Sequence, residues 1–147
     1  MGGFGALRFG FTHPELFGSV SAESAALITT TPEELNAAQK SGRPVGRLLG
    51  GVFGNPINLA HWKQNDVFAI AKHNSAALRT LGIYFNCGDK DEFGFDAGAR
   101  ALDAQLKRSG VPHEFHIYPG HHDPTYFLGH LGEAVEFHNR YFEGRSK

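Results

Sequence analysis

Two strand-like segments separated by an amphipathic helix constrain the fold of this chain more than any other feature of its sequence. Residues Leu81–Cys87 form a mostly apolar run, and Pro112–Tyr118 alternates apolar and polar residues as a strand does. Between them, Asp91–Ser109 has apolar residues at helical spacing and ends at a Ser-Gly pair. A strand, a helix and a second strand in this order predict two parallel strands joined by a right-handed crossover.

The segments on either side continue this alternation. Gly2–His13 is a predicted helix of mainly small residues, Phe17–Ala22 is a predicted buried strand, and a last helix is predicted to start at Pro124. We therefore predict an α/β fold with three parallel strands and flanking helices. One domain is predicted over residues 1–147, and the less regular residues 28–75 are predicted to form a helical, cap-like insert.

Charge and composition exclude several classes of function. The chain carries a net charge of −1, which gives no electrostatic basis for binding nucleic acid or an anionic membrane surface. No apolar run approaches the roughly 20 residues that a membrane-spanning helix needs. Cys87 is the single cysteine, so no internal disulfide forms, and its place at the end of a buried strand predicts a packed, unreactive thiol.

Polar side chains follow two of the predicted strands, at the sheet edge where parallel sheets bind their ligands. Asp89, Asp91 and Glu92 come after the first of these strands, and His121 and His122 come after the next. An acid and an imidazole at neighbouring strand ends, in that order along the chain, fit a catalytic triad, in which the carboxylate orients the ring. The simpler explanation for each group alone is a solvated turn.

A metal site is a second interpretation of the histidines. His121, His122 and Asp123, together with His113 and His116, are residue types that bind zinc. However, His113 and His116 are three residues apart in a predicted strand, so they face opposite sides of the sheet. Adjacent histidines are also awkward ligands for one ion. We therefore predict neither a metal site nor another cofactor.

The first residues have the composition of a nucleophile elbow without its serine. In the G-x-S-x-G elbow, the serine sits on a sharp turn between a strand and a helix. Met1, Gly2 and Gly3 lead directly into the predicted first helix, so a serine immediately before Met1 would complete the elbow. The acid and the histidine would then follow in the order that this fold requires. Ser24 lacks the flanking glycines, and we do not predict it as a nucleophile.

Three blocks of the sequence together resemble the putative-esterase family of α/β hydrolases. This family includes esterase D-like, feruloyl and acetyl-xylan esterases, enterochelin esterases and the mycolyltransferase antigens. Residues 1–27 resemble the segment after its nucleophile, residues 85–93 its acid loop, and residues 118–127 its histidine loop. In these loops the acid closes a G-x-x-D pattern and the base a G-x-H pattern, which correspond to Asp91 and His122.

The resemblance implies the C-terminal half of an α/β-hydrolase fold that starts just after the nucleophile serine. Asp91 and His122 would be the acid and base of a serine esterase acting on a small-molecule ester, and the backbone N–H of Met1 would be one oxyanion-hole donor. An acyltransferase of the mycolyltransferase type and a non-catalytic binding module are alternatives. Without the serine, we expect the isolated chain to be inactive. We also expect the open edge of strand Phe17–Ala22 to favour self-association.

Overall fold

The computed structural model describes residues 1–145, without the side chains of residues 44, 45 and 145. The chain divides into two compact units, one made of Met1–Leu27 and the chain from Val67 onward, the other of Ile28–Asp66. No helix within residues 1–145 has both the length and the apolar character needed to cross a bilayer. The elements along residues 1–145 are, in order, α1 (Gly2–Thr12), β1 (Ser19–Glu23), α2 (Pro32–Lys40), α3 (Pro44–Phe53), α4 (Leu59–Asn65), α5 (Val67–His73), a short 3-10 helix (Ala77–Thr80), β2 (Gly82–Gly88), α6 (Phe95–Arg108), β3 (Glu114–Tyr118) and α7 (Pro124–Arg145).

The first unit contains a parallel three-stranded sheet in the order β1-β2-β3. Every residue of β2 is buried, because this strand lies between the other two and is covered by helices on both faces. Burial on both faces accounts for its nearly continuous apolar sequence. The predicted arrangement of three parallel strands with flanking helices is confirmed.

Helices α1 and α7 cover opposite faces of the sheet at β1. Val20 lies against Gly10 of α1, and a methyl group added to Gly10 would sit 3.1 Å from the Val20 Cβ. The neighbouring residues in β1 point the other way, since Ser19 and Ser21 bind the ring of His138 in α7 at 2.7 and 3.0 Å. This alternation follows from the two-residue period of a strand. It places the carboxyl end of β1 between the two helices.

The predicted helix over Asp91–Ser109 begins later than expected, because its first residues form a turn. The carboxylate of Asp91 accepts the N–H of Phe93 at 2.9 Å, and the carbonyl of Asp91 accepts the N–H of Gly94 at 3.0 Å. Gly94 has a φ of +70°, a left-handed conformation that glycine adopts without strain. Helix α6 starts only after this glycine, which leaves Asp91 on a turn at the end of β2.

The second unit is helical. Helix α2 begins at a capping box, in which Thr31 Oγ1 accepts the N–H of Glu34 and Glu34 Oε2 accepts the N–H of Thr31. Phe53 packs edge-on against Trp62, with ring centroids 4.8 Å apart. The unit ends at Asp66. Its role as a cap over a site stays a prediction.

Candidate active site

Asp91 is held in a buried turn at the carboxyl end of β2. Its side chain is fully buried, although carboxylates are rarely buried unless they are paired. Oδ1 accepts the N–H of Phe93 at 2.9 Å, and the thiol of Cys87 lies 3.7 Å from Oδ2. Because these contacts come from residues two and four positions away, the local chain fixes the direction of the carboxylate.

The second oxygen of Asp91 meets the imidazole of His122, which lies in the loop after β3. His122 Nδ1 is 2.8 Å from Asp91 Oδ2. An ionised carboxylate can only accept, so Nδ1 donates, and in the neutral ring Nε2 then carries the lone pair. The side chain of His122 is 22% exposed, whereas that of Asp91 is not exposed at all. The structure thus joins the two groups that the sequence places at neighbouring strand ends.

Three phenylalanine rings surround the imidazole of His122. Phe93, Phe95 and Phe127 each meet it edge-on, with centroids at 5.1, 5.5 and 5.1 Å. These contacts restrict rotation of the ring and keep water from part of its surface. The sequence shows these residues next to the acid and histidine loops, but nothing in it indicates that they converge on one ring.

His122 borders an open cavity of about 410 Å³. The start of α1 also lines this cavity, through Met1, Gly2 and Gly3. The first N–H groups of a helix have no partner within the helix, and the helix dipole makes this end attractive to anions. Met1 and His122 therefore face the same space, and a negative charge that develops there would be stabilised by the start of α1.

Two polar residues at the end of β1 also line this cavity. Ser24 is 2% exposed and has a φ of +40°, and no hydrogen bond among the described residues joins its hydroxyl to His122. Burial raises the pKa of Glu23, whose Oε1 has no hydrogen-bond partner in the described part of the chain. Ser24 therefore lacks the hydrogen bond to a base that activates a serine nucleophile.

The other two carboxylates after β2 bind the histidine loop rather than the ring of His122. Asp89 Oδ1 accepts the N–H of Gly120 at 3.0 Å, and Glu92 Oε2 accepts the N–H of His122 at 3.0 Å. Glu92 Oε1 contacts Nδ1 of His121. Asp91 is therefore the carboxylate that contacts the imidazole of His122.

Two other sequence candidates, His113 and Cys87, are held by local contacts or by burial. The ring of His113 contacts Asp103 Oδ1 at 3.0 Å and the carbonyl of Val111 at 2.9 Å, so both of its nitrogens have hydrogen-bond partners. Among the described residues, no three His, Cys, Asp or Glu side chains are arranged to hold a metal ion. The thiol of Cys87 is fully buried, and burial raises its pKa to about 12.

Comparison with known proteins assigns the chain to a family. The profile of the family described as "Putative esterase" matches residues 1–138, which is most of the sequence. The chain belongs to this esterase family. Among curated proteins, none matches the sequence closely enough to count as a relative.

Solved structures of hydrolases resemble this fold. A ferulic acid esterase is 27% identical, with a TM-score of 0.68 over 97% of this chain and 48% of its own. An S-formylglutathione hydrolase from Staphylococcus aureus is 22% identical, with a TM-score of 0.66 over 93% of this chain and 50% of its own. A fluorophosphonate-binding serine hydrolase from Staphylococcus aureus is 21% identical, with a TM-score of 0.67 over 92% of this chain and 50% of its own.

These similarities confirm the predicted fold class and the esterase-type lineage of the chain. The chain spans about half the length of each of these three structures. The family match therefore identifies the chain as part of an esterase-type protein. Its reaction and substrate are inferred below from the geometry of the site.

Proposed function

We propose that this chain supplies the acid and the base of a Ser-His-Asp triad that cleaves small-molecule carboxylic esters. The observation that carries the proposal is the 2.8 Å hydrogen bond between His122 Nδ1 and the buried Asp91 Oδ2, beside a cavity that Met1 also lines. Membership of the esterase family supports the reaction class. The order acid then histidine along the chain is that of this fold.

The chemistry assigns one role to each group. A serine hydroxyl attacks the ester carbonyl while His122 Nε2 takes its proton, and the backbone N–H of Met1 donates to the oxyanion that forms. His122 then gives the proton to the leaving alcohol, and Asp91 stabilises the imidazolium between these two transfers. In the second half-reaction, water attacks the acyl-serine and loses a proton to His122. His122 returns this proton to the serine oxygen as the bond between that oxygen and the acyl carbon breaks and the acid is released.

The nucleophile is the group that the described residues do not provide. Ser24 shares the cavity with His122 but is buried and is not bonded to it. We infer that a serine from outside these 147 residues completes the triad at this cavity. Loss of the nucleophile in one serine protease lowered turnover on the order of a million-fold. The 147-residue chain alone should therefore hydrolyse esters no faster than background.

Complementation tests this proposal. The chain is co-expressed with the half of the fluorophosphonate-binding serine hydrolase that the structural match leaves uncovered. We expect hydrolysis of p-nitrophenyl acetate and labelling by a fluorophosphonate only when both parts are present. His122→Ala should lower the rate at least ~1,000-fold. Glu136→Ala is the matched control, because Glu136 is an exposed residue of α7 that pairs with Arg140.

Two outcomes contradict the proposal. The first is hydrolysis by the purified chain alone that His122→Ala abolishes, since this requires a nucleophile within the 147 residues. The second is hydrolysis by the complemented pair that is equally fast with His122→Ala and with Glu136→Ala, since this removes His122 from the reaction.

A further inference from the structure

The acid loop (residues 88–94) and the histidine loop (residues 119–123) are joined by more than the contact between Asp91 and His122. The pairing of β2 with β3 continues beyond the strands, because the N–H of Asp89 binds the carbonyl of Tyr118 at 2.8 Å. The N–H of Lys90 binds the carbonyl of Gly120 at 2.9 Å. These bonds fix the start of the histidine loop but do not reach His122 itself.

The carboxylates on either side of Asp91 extend this connection to His122. Asp89 Oδ1 accepts the N–H of Gly120 at 3.0 Å, and Glu92 Oε2 accepts the N–H of His122 at 3.0 Å. The other oxygen of Glu92, Oε1, lies 2.5 Å from Nδ1 of His121. We refer to Asp89 and Glu92 with these contacts as the carboxylate clamp. Bonds from N–H groups to ionised carboxylates are stronger than those between neutral groups.

We propose that Glu92, supported by Asp89, is a positioning residue that sets the direction of the His122 imidazole. The inference rests on the proposed function, because it explains how the base of that triad is oriented. The hydrogen bond to Asp91 and the three phenylalanine contacts act on the ring of His122, but they do not hold its backbone. Glu92 supplies this restraint, since it holds the backbone N–H of His122 itself.

The charge of Glu92 is suited to this role. The N–H of His122, followed by the N–H of Glu92 and the ring of His121, lowers the pKa of Glu92 to about 2. The acceptor therefore stays ionised at neutral pH. The pair of Glu92 and His121 alone would contribute little, because both side chains are about half exposed and such pairs are weak. The bond to the backbone of His122 is what connects Glu92 to the site.

Hydrogen exchange of two protons in the 147-residue chain tests the proposal by NMR. The backbone N–H of His122 reports the bond to Glu92, and the ring Nδ1–H of His122 reports the bond to Asp91. In Glu92→Ala we expect both protons to exchange with water faster, the backbone proton by roughly tenfold, as the loss of one charge-assisted bond implies. Glu92→Gln keeps one acceptor oxygen and should give an intermediate increase.

Glu136→Ala is the control and should leave both protons unchanged, because its carboxylate pairs with Arg140 on α7. Unchanged protection of the β2 amides in each variant shows that the sheet is intact. The proposal is overturned if Glu92→Ala accelerates exchange of the His122 backbone proton but not of the ring proton, since Glu92 would then stabilise the loop without orienting the base.

Failure of the proposed function has a different signature. In that case the ring proton of His122 in the wild-type chain would exchange at the same rate in Asp91→Ala, whatever Glu92 does. The Asp91→Ala comparison therefore separates an error in the triad from an error in the clamp.

Discussion

Replacing Asp91 by alanine removes the acceptor of two nitrogen donors, the N–H of Phe93 and Nδ1 of His122, and of the weaker thiol donor of Cys87. A buried donor left without a partner costs about 1–3 kcal/mol, and the lower half of this range applies here because both nitrogen donors are only partly buried. Removal of a desolvated carboxylate offsets part of this loss. We therefore expect the free energy of unfolding to fall by about 2 kcal/mol.

Asp91→Asn separates the two donors, because asparagine keeps an oxygen for the N–H of Phe93 but places an amide against His122. We expect Asp91→Asn to lower the free energy of unfolding by about 1 kcal/mol. Urea unfolding followed by circular dichroism at neutral pH measures these differences. We predict that Asp91→Ala is the most destabilised variant, followed by Asp91→Asn and then by Glu136→Ala. If Asp91→Ala and Glu136→Ala agree within about 0.5 kcal/mol, Asp91 is an ordinary surface carboxylate and the structural argument is wrong.

Four further predictions follow from other parts of the structure. Gly98→Ala should destabilise the chain by about 3 kcal/mol in thermal unfolding, because its methyl group would overlap the carbonyl of Leu27, whereas Gly129→Ala, which faces open space, should not. The pKa of Glu92 falls from 4.5 to about 2 on folding, so its contribution is complete above pH 4.5 and lost as the pH falls towards 2. Over this window the urea midpoint should fall more steeply in the wild type than in Glu92→Gln, and equal slopes would count against the contact. Cys87 should react with a disulfide reagent only on unfolding, because burial raises its pKa to about 12, and rapid reaction of the folded chain would contradict this. Because β1 is an edge strand of the described sheet, the purified chain should elute from size exclusion as a dimer or larger species, and a monomer at every concentration would refute self-association through that edge.

The main elements of the fold can be predicted from sequence because burial leaves a periodic pattern. The run Leu81–Cys87 corresponds to β2 at Gly82–Gly88, displaced by one residue, since burial on both faces requires apolar residues throughout. The start of α6 could not be predicted in this way. Residues between Asp91 and Gly94 are compatible with a helix, but the side chain of Asp91 binds the N–H of Phe93 and forms a turn instead. In the sequence, Gly94 is the residue that indicates a break before the helix.

The acid and the base of the candidate site could be predicted for a different reason. Neighbouring parallel strands end at the same edge, so side chains that follow them meet, as Asp91 and His122 do. The role of Glu92 could not be predicted, because a carboxylate in a loop is usually solvated. Its bonds to the N–H of His122 and to the ring of His121 depend on the relative position of two loops that are about 30 residues apart in sequence.

The nitrogen chemical shifts of the His122 ring test the central claim most directly, because that claim concerns which nitrogen holds the proton. In the neutral ring we predict a protonated Nδ1, bound to Asp91, and an unprotonated Nε2 available to accept a proton from a serine. In Asp91→Asn this preference should weaken or reverse. A wild-type ring protonated on Nε2, or one whose shifts are the same in Asp91→Asn, would contradict the account.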